Sequence, residues 1–183
     1  SGQIPLVHEV LQALRIPFVE SEGYEADDLI ATLTTQAQAA GMDVLICSGD
    51  RDAFQLVSDK VTLLYPVRGV SEVWRMTPEK VEEKYGVRPE RYSDLAALVG
   101  ESSDNLPGVP GVGPKTAAKW LGQYGDLTGL VAHVDEIKGK AGDALREHLD
   151  GVLRNRRLNQ LVRDVELGVD VEDLARTNWD REE

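Results

Sequence analysis

Apolar and polar positions along the chain follow two different rhythms. Val10, Leu11 and Leu14 recur at spacings of three and four after Ile4-Pro5-Leu6-Val7, which predicts a first helix. Ile16-Pro17-Phe18-Val19 reads as a short buried strand. From Tyr24 to Ala40, the residues Ala26, Leu29, Ile30, Leu33, Ala37 and Ala40 fall within about 100° of arc, predicting an amphipathic helix that Gly41 ends. Asp43–Cys47 reads as a strand buried on both faces, followed by the turn Ser48–Asp52 and a short helix near Ala53–Val57. Val61–Tyr65 and Val70–Trp74, split by Pro66–Gly69, predict two more strands, and the alternation suggests a mostly parallel sheet.

The second half is helical throughout. Thr77-Pro78-Glu79 and Arg88-Pro89-Glu90 each place proline at a first helical position, the latter opening a helix that runs to about Val99. Beyond a Gly/Pro-rich stretch, helices are expected near Lys115–Tyr124, Leu127–His133 and Ala141–Val162. The predicted organisation is an α/β lobe over residues 1–75 and an all-helical lobe over 76–183. The chain opens without methionine and reads as a piece of a longer protein.

Composition narrows the function classes. A chain of 183 residues, 42% apolar, is long enough to bury its own core without disulfides or metals. Aromatic residues make up 5%, too few for a sheet of exposed stacking rings. Cys47 is the single cysteine, which excludes an intrachain disulfide and a cysteine-based zinc site; with no apolar run of membrane length, a cytoplasmic setting is expected. The net charge of −12 argues against a nucleic-acid partner until the acids are located.

Seven of those acids sit in three clusters: Glu25, Asp27 and Asp28; Asp50 and Asp52; Glu101 and Asp104. Each has a plain structural reading as a helix-terminal or turn acid. Glu25 and Asp28, about 60° apart on a helix, border the apolar stripe, where unpaired carboxylates are costly to desolvate. Asp50 and Asp52 follow a strand's carboxyl end, where open α/β sheets place their ligand sites. Only Arg51 is interleaved. Such a collection suits two hard cations such as Mg²⁺ or Mn²⁺ in phosphoryl chemistry.

The fourth element is Leu106–Ala117, in which Gly111 and Gly113 flank Val112 directly before a helix beginning Pro114-Lys115-Thr116. Consecutive backbone N–H groups there can cradle a phosphate at a helix N-terminus. The string reads as a helix-hairpin-helix signal, a glycine hairpin at 107–116, gripping the sugar-phosphate backbone without reading bases. Gly111, Val112, Gly113, Lys115, Thr116 and Lys119 are the candidate DNA contacts. Arg154, Arg156 and Arg157 are weaker candidates.

Tyr24–Asp28, Ser48–Asp52 and Gly100–Gly113, in that order, closely resemble the 5′-nuclease domain family of bacterial type I DNA polymerases, within the flap endonuclease superfamily. The resemblance implies a PIN-like α/β lobe, a helix–three-turn–helix motif on duplex DNA, and hydrolysis of 5′ ends, flaps and RNA primers with two divalent metals. It implies metal-binding roles for Glu25, Asp27, Asp28, Asp50, Asp52 and Asp104, with Glu101 a further candidate, and catalytic roles for Asp27, Asp28, Asp50 and Asp52. It also implies a K⁺ ion held by main-chain oxygens near Val109–Gly113, a polymerase domain in the same protein, a monomer, and a nucleoid-associated cytoplasmic location. Two departures stand out. Glu101 occupies a position where the family has aspartate, and nothing in Ser1–Pro17 matches the family's first strands and helical arch. The α/β lobe is therefore expected to be incomplete at its N-terminus, and these residues alone to cleave flaps little or not at all. The competing readings are a non-catalytic duplex-DNA-binding module and a PIN-type ribonuclease, the latter disfavoured by the glycine hairpin and the long helical lobe.

Overall fold

The computed structural model describes residues 3–69 and 71–177. Contacts divide it into two units, one running to Met42 and resuming at Val162, the other Asp43–Leu161. This grouping cuts across the lobes delimited at residue 75, because the segment from Val162 onward groups with the residues up to Met42 rather than with the last helices.

In the first unit, α1 (Ile4–Ala13) is followed by α2 (Ala26–Ala39). Ile16–Val19 forms no strand. The Ile16 N–H is drawn back to the Leu11 carbonyl (2.9 Å), Arg15 takes a positive φ of 50°, and Pro17 has no N–H to give. The buried positions of α2 are Leu29, Ala31, Thr32, Thr34 and Ala37, so its inner face is rotated from the apolar stripe toward two threonines. The cause is polar: Thr32 Oγ1 accepts the Val165 N–H (3.2 Å), and the Val162 N–H donates to Asp28 Oδ1 (2.8 Å), strapping the later segment to the helix.

In the second unit, β1 (Val44–Cys47), β2 (Val61–Arg68) and β3 (Glu72–Met76) form a sheet in that order. β1 runs parallel to β2, pairing Val44 with Val61, whereas β3 returns antiparallel, pairing Tyr65 with Trp74. The described sheet is thus mixed, because the few residues between β2 and β3 suffice for a hairpin but not for a crossover. β1 is buried on one face only: Ile46 is 5% exposed and Leu45 56%. β2 continues through Pro66, which lies past the last β1 pair, Cys47 with Leu64, where no ladder on that side needs its N–H. Val70, the expected start of the next strand, lies outside the described residues, as do Ser1, Gly2 and residues 178–183.

Phe54, fully buried in a 3-10 turn at Asp52–Leu56, meets the rings of Tyr65, Tyr85 and Tyr92 at 5.2, 5.1 and 5.1 Å. Helices α3 (Pro78–Tyr85), α4 (Tyr92–Val99), α5 (Pro114–Tyr124), α6 (Leu127–Ala132), α7 (Lys140–Glu147) and α8 (Leu149–Leu158) follow. Thr77 caps α3 by accepting the Lys80 N–H, and Gly86, left-handed at φ 75°, ends it. The single helix expected over Ala141–Val162 is broken at His148, whose ring Nδ1 lies 2.9 Å from the Ala144 carbonyl oxygen. Between α4 and α5, β4 (Gly100–Glu101) and β5 (Leu106–Pro107) form a small antiparallel ladder that hydrophobic patterning does not announce.

Candidate active site and nucleic-acid interface

Asp50 and Asp52 lie just past β1. The Asp50 N–H donates to Ser48 Oγ (3.1 Å), and Asp50 Oδ1 accepts the Asp52 N–H (2.8 Å), a side-chain turn that fixes both acids. The Arg51 guanidinium between them hydrogen-bonds the Tyr65 side chain. Glu101, on β4, is 8% exposed, and its Oε2 has no hydrogen-bond partner. Burial pushes its carboxyl above the ordinary carboxylate range; Asp104 adds to the rise, Arg51 offsets part of it, and Asp50 adds more. The second unit therefore brings Asp50, Glu101 and Asp104 within electrostatic reach of one another, with Arg51 as the countercharge. Tyr92 and Tyr85 close the inner side: burial raises both phenols, Tyr85 to about 12.

In the first unit, Glu25 and Asp28 form a reciprocal capping box at the start of α2, and Asp28 also holds the Val162 N–H. These two acids do the structural work that their position predicts. Asp27 lies beside them in the first helical turn, partly buried.

The donor set consists of carboxylate oxygens, which suits a hard divalent cation. A buried carboxylate oxygen without a partner, near two further acids, is a group whose desolvation cost a cation would relieve. To that extent the residues fit Mg²⁺ or Mn²⁺. Among the described residues, however, no three His, Cys, Asp or Glu side chains are gathered as a ready cage.

The glycine hairpin is held at its base and open at its tip. The Val109 N–H donates to the Leu98 carbonyl (2.9 Å), and the Val112 N–H to the Val109 carbonyl (3.0 Å). Val109 and Val112 are buried, and with its N–H closing the turn Val112 shapes the hairpin from within. Gly111 takes φ 76°, a conformation open to glycine. Gly113 is the N-cap of α5, which has neither a side-chain cap nor an acid in its first turn. Its first N–H groups thus remain for an anion, with Lys115 and Lys119 exposed and Thr116 partly exposed on the same helix. Arg156, one of the weaker candidates, is paired to the buried Asp94 and to Gln160 (2.9 Å). Arg154 and Arg157 remain exposed.

Sequence reasoning missed the residues that position the hairpin. Asn155, fully buried on α8, donates its amide to the Ala97 and Pro107 carbonyls (3.3 and 2.9 Å). At Gly100 and Gly108 the backbones touch, so that a Cβ on Gly108 would stand 2.0 Å from the Val99 carbonyl oxygen. A polar amide inside an otherwise apolar helix face, and a glycine on each flank of Ser102–Asn105, were the available signals.

No helix among the described residues is long and apolar enough to cross a membrane. DNA polymerase I of Mycobacterium tuberculosis (strain H37Rv) is 58% identical over 182 residues, covering 100% of this chain and 20% of that protein. DNA polymerase I of Bacillus caldotenax is 45% identical over 183 residues, with 100% and 21% covered. The chain spans about a fifth of the length of these curated relatives. The T5 D15 protein crystallised with metal ions superposes with a TM-score of 0.67 at 24% identity, over 78% of this chain and 53% of that one. The catalytic core of Rad2 with a DNA substrate gives 0.58 at 18%, over 98% and 58%. At these identities the likeness speaks for the fold alone, a PIN-like α/β part with a helical part. The profile described as "5′-3′ exonuclease, N-terminal resolvase-like domain" matches residues 1–86, and that described as "5′-3′ exonuclease, C-terminal SAM fold" matches residues 87–182. With its two halves matched in order by the two profiles of one enzyme family, the chain belongs to the 5′-3′ exonuclease family.

Proposed function

We propose that the chain serves as a structure-specific 5′-nuclease, hydrolysing 5′ ends, flaps and RNA primers on duplex DNA in replication and repair. The observation that carries this reading is the buried Glu101 carboxylate, with one oxygen unpartnered, on the ladder that leads into the glycine hairpin. Two divalent cations, Mg²⁺ or Mn²⁺, would supply Lewis-acid activation of water and neutralise charge on the scissile phosphate. Asp50, Asp52, Glu101 and Asp104 are the second unit's candidate ligands, and Glu25, Asp27 and Asp28 the first unit's. The chain's own part is to grip the backbone phosphates through Gly111, Val112, Gly113, Lys115, Thr116 and Lys119, and to hold the carboxylates in register with that grip. A K⁺ ion on main-chain oxygens near Val109–Gly113 would reinforce the hairpin. In this reading residues 1–75 are the α/β nuclease lobe and 76–183 the helical DNA-binding lobe of a monomeric, cytoplasmic and nucleoid-associated protein that also carries a polymerase domain.

The test is Asp50→Asn with Asp52→Asn in the full gene product. Cleavage of a 5′ flap in Mg²⁺ is expected to vanish while duplex affinity holds or rises, because the lost charges repelled phosphate. Cleavage within tenfold of wild type would sink the ligand assignment. A second reading, a duplex-binding module without catalysis, is favoured by two observations: Glu25 and Asp28 already cap α2, and among the described residues no three ligands are gathered. Mn²⁺ titration followed by electron paramagnetic resonance separates the two, since the nuclease binds two ions and the module none.

A further inference from the structure

We propose that the groove between β3 and α3 is a second nucleic-acid site, one that takes single-stranded nucleic acid with a base against Trp74 and backbone phosphates on Arg75, Lys80 and Lys84. This rests on the nuclease reading and adds a strand-binding surface to it.

β3 is an edge strand of the described sheet, and it leaves Val73 40% and Trp74 38% exposed. A tryptophan left this open on an edge strand offers ring area to a ligand, and an aromatic face is what a base stacks on. The indole face already holds a cation, the Lys84 ammonium at 3.3 Å from its ring centroid, and an arriving base would take that place as the ammonium turns to the phosphate. The groove beside it, about 520 Å³, is lined by Val73, Trp74, Arg75, Lys80, Glu83 and Lys84, with Met76 at its floor. That volume lies within the range of small-ligand pockets, enough for a nucleotide.

Charge selects the occupant. On a chain of net charge −12, this groove carries three cations and one acid. Glu83 engages Lys80 at 2.7 Å, while Arg75 and Lys84 have no ion pair among the described residues. Burial, and then the neighbouring Arg51, lower the Lys84 ammonium from its ordinary range, a setting that a phosphate would relieve. An acidic peptide would answer the charge but not the aromatic face. Duplex DNA would offer phosphates while keeping its bases stacked inside. An unpaired strand offers both.

The position is also apt. Arg51 is felt by Lys84 on one side and by Glu101 on the other, so a strand held on Trp74 lies one residue's reach from the acidic cluster. Such a strand would be the unpaired arm of a junction whose duplex is held at the glycine hairpin.

Fluorescence anisotropy of a labelled oligothymidylate and of a blunt duplex of equal length, both at low salt, tests this with the 183-residue protein. Trp74→Ala and Arg75→Glu are each expected to weaken single-strand binding about tenfold, as loss of a base stack or a phosphate contact does, with duplex affinity within about twofold. Arg75 is exposed, so its variant reports even where Trp74→Ala fails to fold. Photocrosslinking of a bromouracil-substituted strand should place the adduct on β3 or α3. Unchanged single-strand affinity in Arg75→Glu, equal loss on strand and duplex, an adduct elsewhere, or displacement by polyglutamate at matched charge would each overturn the site. Lys115→Ala with Lys119→Ala keeps the two readings apart: intact duplex binding in that variant refutes the hairpin grip and leaves the groove standing.

Discussion

Gly108→Ala should unseat the loop that carries Glu101 without touching a charged residue. A Cβ on Gly108 would lie 2.0 Å from the Val99 carbonyl oxygen, 2.2 Å from its carbon and 2.6 Å from the Gly100 nitrogen. Non-bonded carbon contacts settle near 3.5–4.0 Å, so the two backbones must part by about 1.5 Å. The β4–β5 ladder between them is only two residue pairs long, Gly100 with Pro107 and Glu101 with Leu106. Overpacking of this kind costs about 1–3 kcal/mol, and stretching the Val109-to-Leu98 hydrogen bond adds about 1. A total of about 3 kcal/mol corresponds to a fall in Tm of about 6–12 °C for a chain of this length. Gly113→Val is the control. Nothing lies within 4 Å of its added Cβ, and φ −99°, ψ 179° suits a β-branched residue. Its cost is at most the weaker N-cap, about 1 kcal/mol or less, yet it places a side chain where a phosphate must approach. Thermal melting by circular dichroism and duplex binding by anisotropy should therefore dissociate: Gly108→Ala loses stability first, and Gly113→Val loses affinity at nearly normal stability. A Gly108→Ala variant melting within about 2 °C of wild type, or a Gly113→Val variant falling as far as Gly108→Ala, would refute the reasoning.

Lys115→Ala with Lys119→Ala should weaken duplex binding equally on all sequences and lower the log–log salt slope by about 1.8, two phosphate contacts' worth; an unchanged slope removes both from the interface. Asn155→Ala withdraws the amide from the buried Ala97 carbonyl and from the Pro107 carbonyl and should cost about 1–3 kcal/mol in urea unfolding, whereas a loss below about 0.5 would make the amide incidental. Glu101 gives a pH signature in the absence of divalent ions. Its folded-state carboxyl titrates above the ordinary 4.5, so the folded protein holds a proton that the unfolded chain has released. Stability should then fall as pH climbs from near 4.5 through the raised value, and Glu101→Gln should flatten that limb; an identical limb in both proteins would assign it elsewhere.

Much of the helical architecture could be read from the sequence because its signals are local. Thr77-Pro78 and the Pro114 start each specify a cap or a first turn by their own chemistry, and the structure places helix starts there. The elements that went unread depend on partners distant in sequence. β4 and β5 are too short to show a period, and exist because Gly100 and Gly108 let two backbones touch. Ile16–Val19 has a strand's composition but pairs with no strand among the described residues, and the Ile16 amide turns back to the end of α1. β1 looks like a doubly buried strand because Leu45 is apolar, although that face is exposed. The candidate site divides in the same way. Acid positions and the glycine hairpin are written as motifs, whereas the burial of Glu101 and the diversion of Arg156 to Asp94 are tertiary facts. Four glycines within fourteen residues are one letter with different duties. Gly100 and Gly108 allow close backbone approach, Gly111 a left-handed turn, and Gly113 a bare helix N-terminus.

The arrangement of those glycines explains how an acid and a phosphate grip can share one short stretch of chain. A free loop from Glu101 to Gly113 would leave their separation to fluctuate, and a misplacement of about 1 Å can cost about a hundredfold in rate. Here the stretch is pinned at three points: its own β4–β5 ladder, the Gly108 contact with Val99 at the end of α4, and the Asn155 side-chain amide of α8 on the Pro107 carbonyl. The first two are backbone to backbone and have no side-chain rotamers to loosen, and the third is made by a fully buried side chain. They also leave the outward side of the stretch unencumbered, so Asp104 and the tip of the hairpin remain exposed. The fold thus fixes the carboxylate and the grip from behind, and keeps for a ligand the polar groups that a packed loop would have had to satisfy internally.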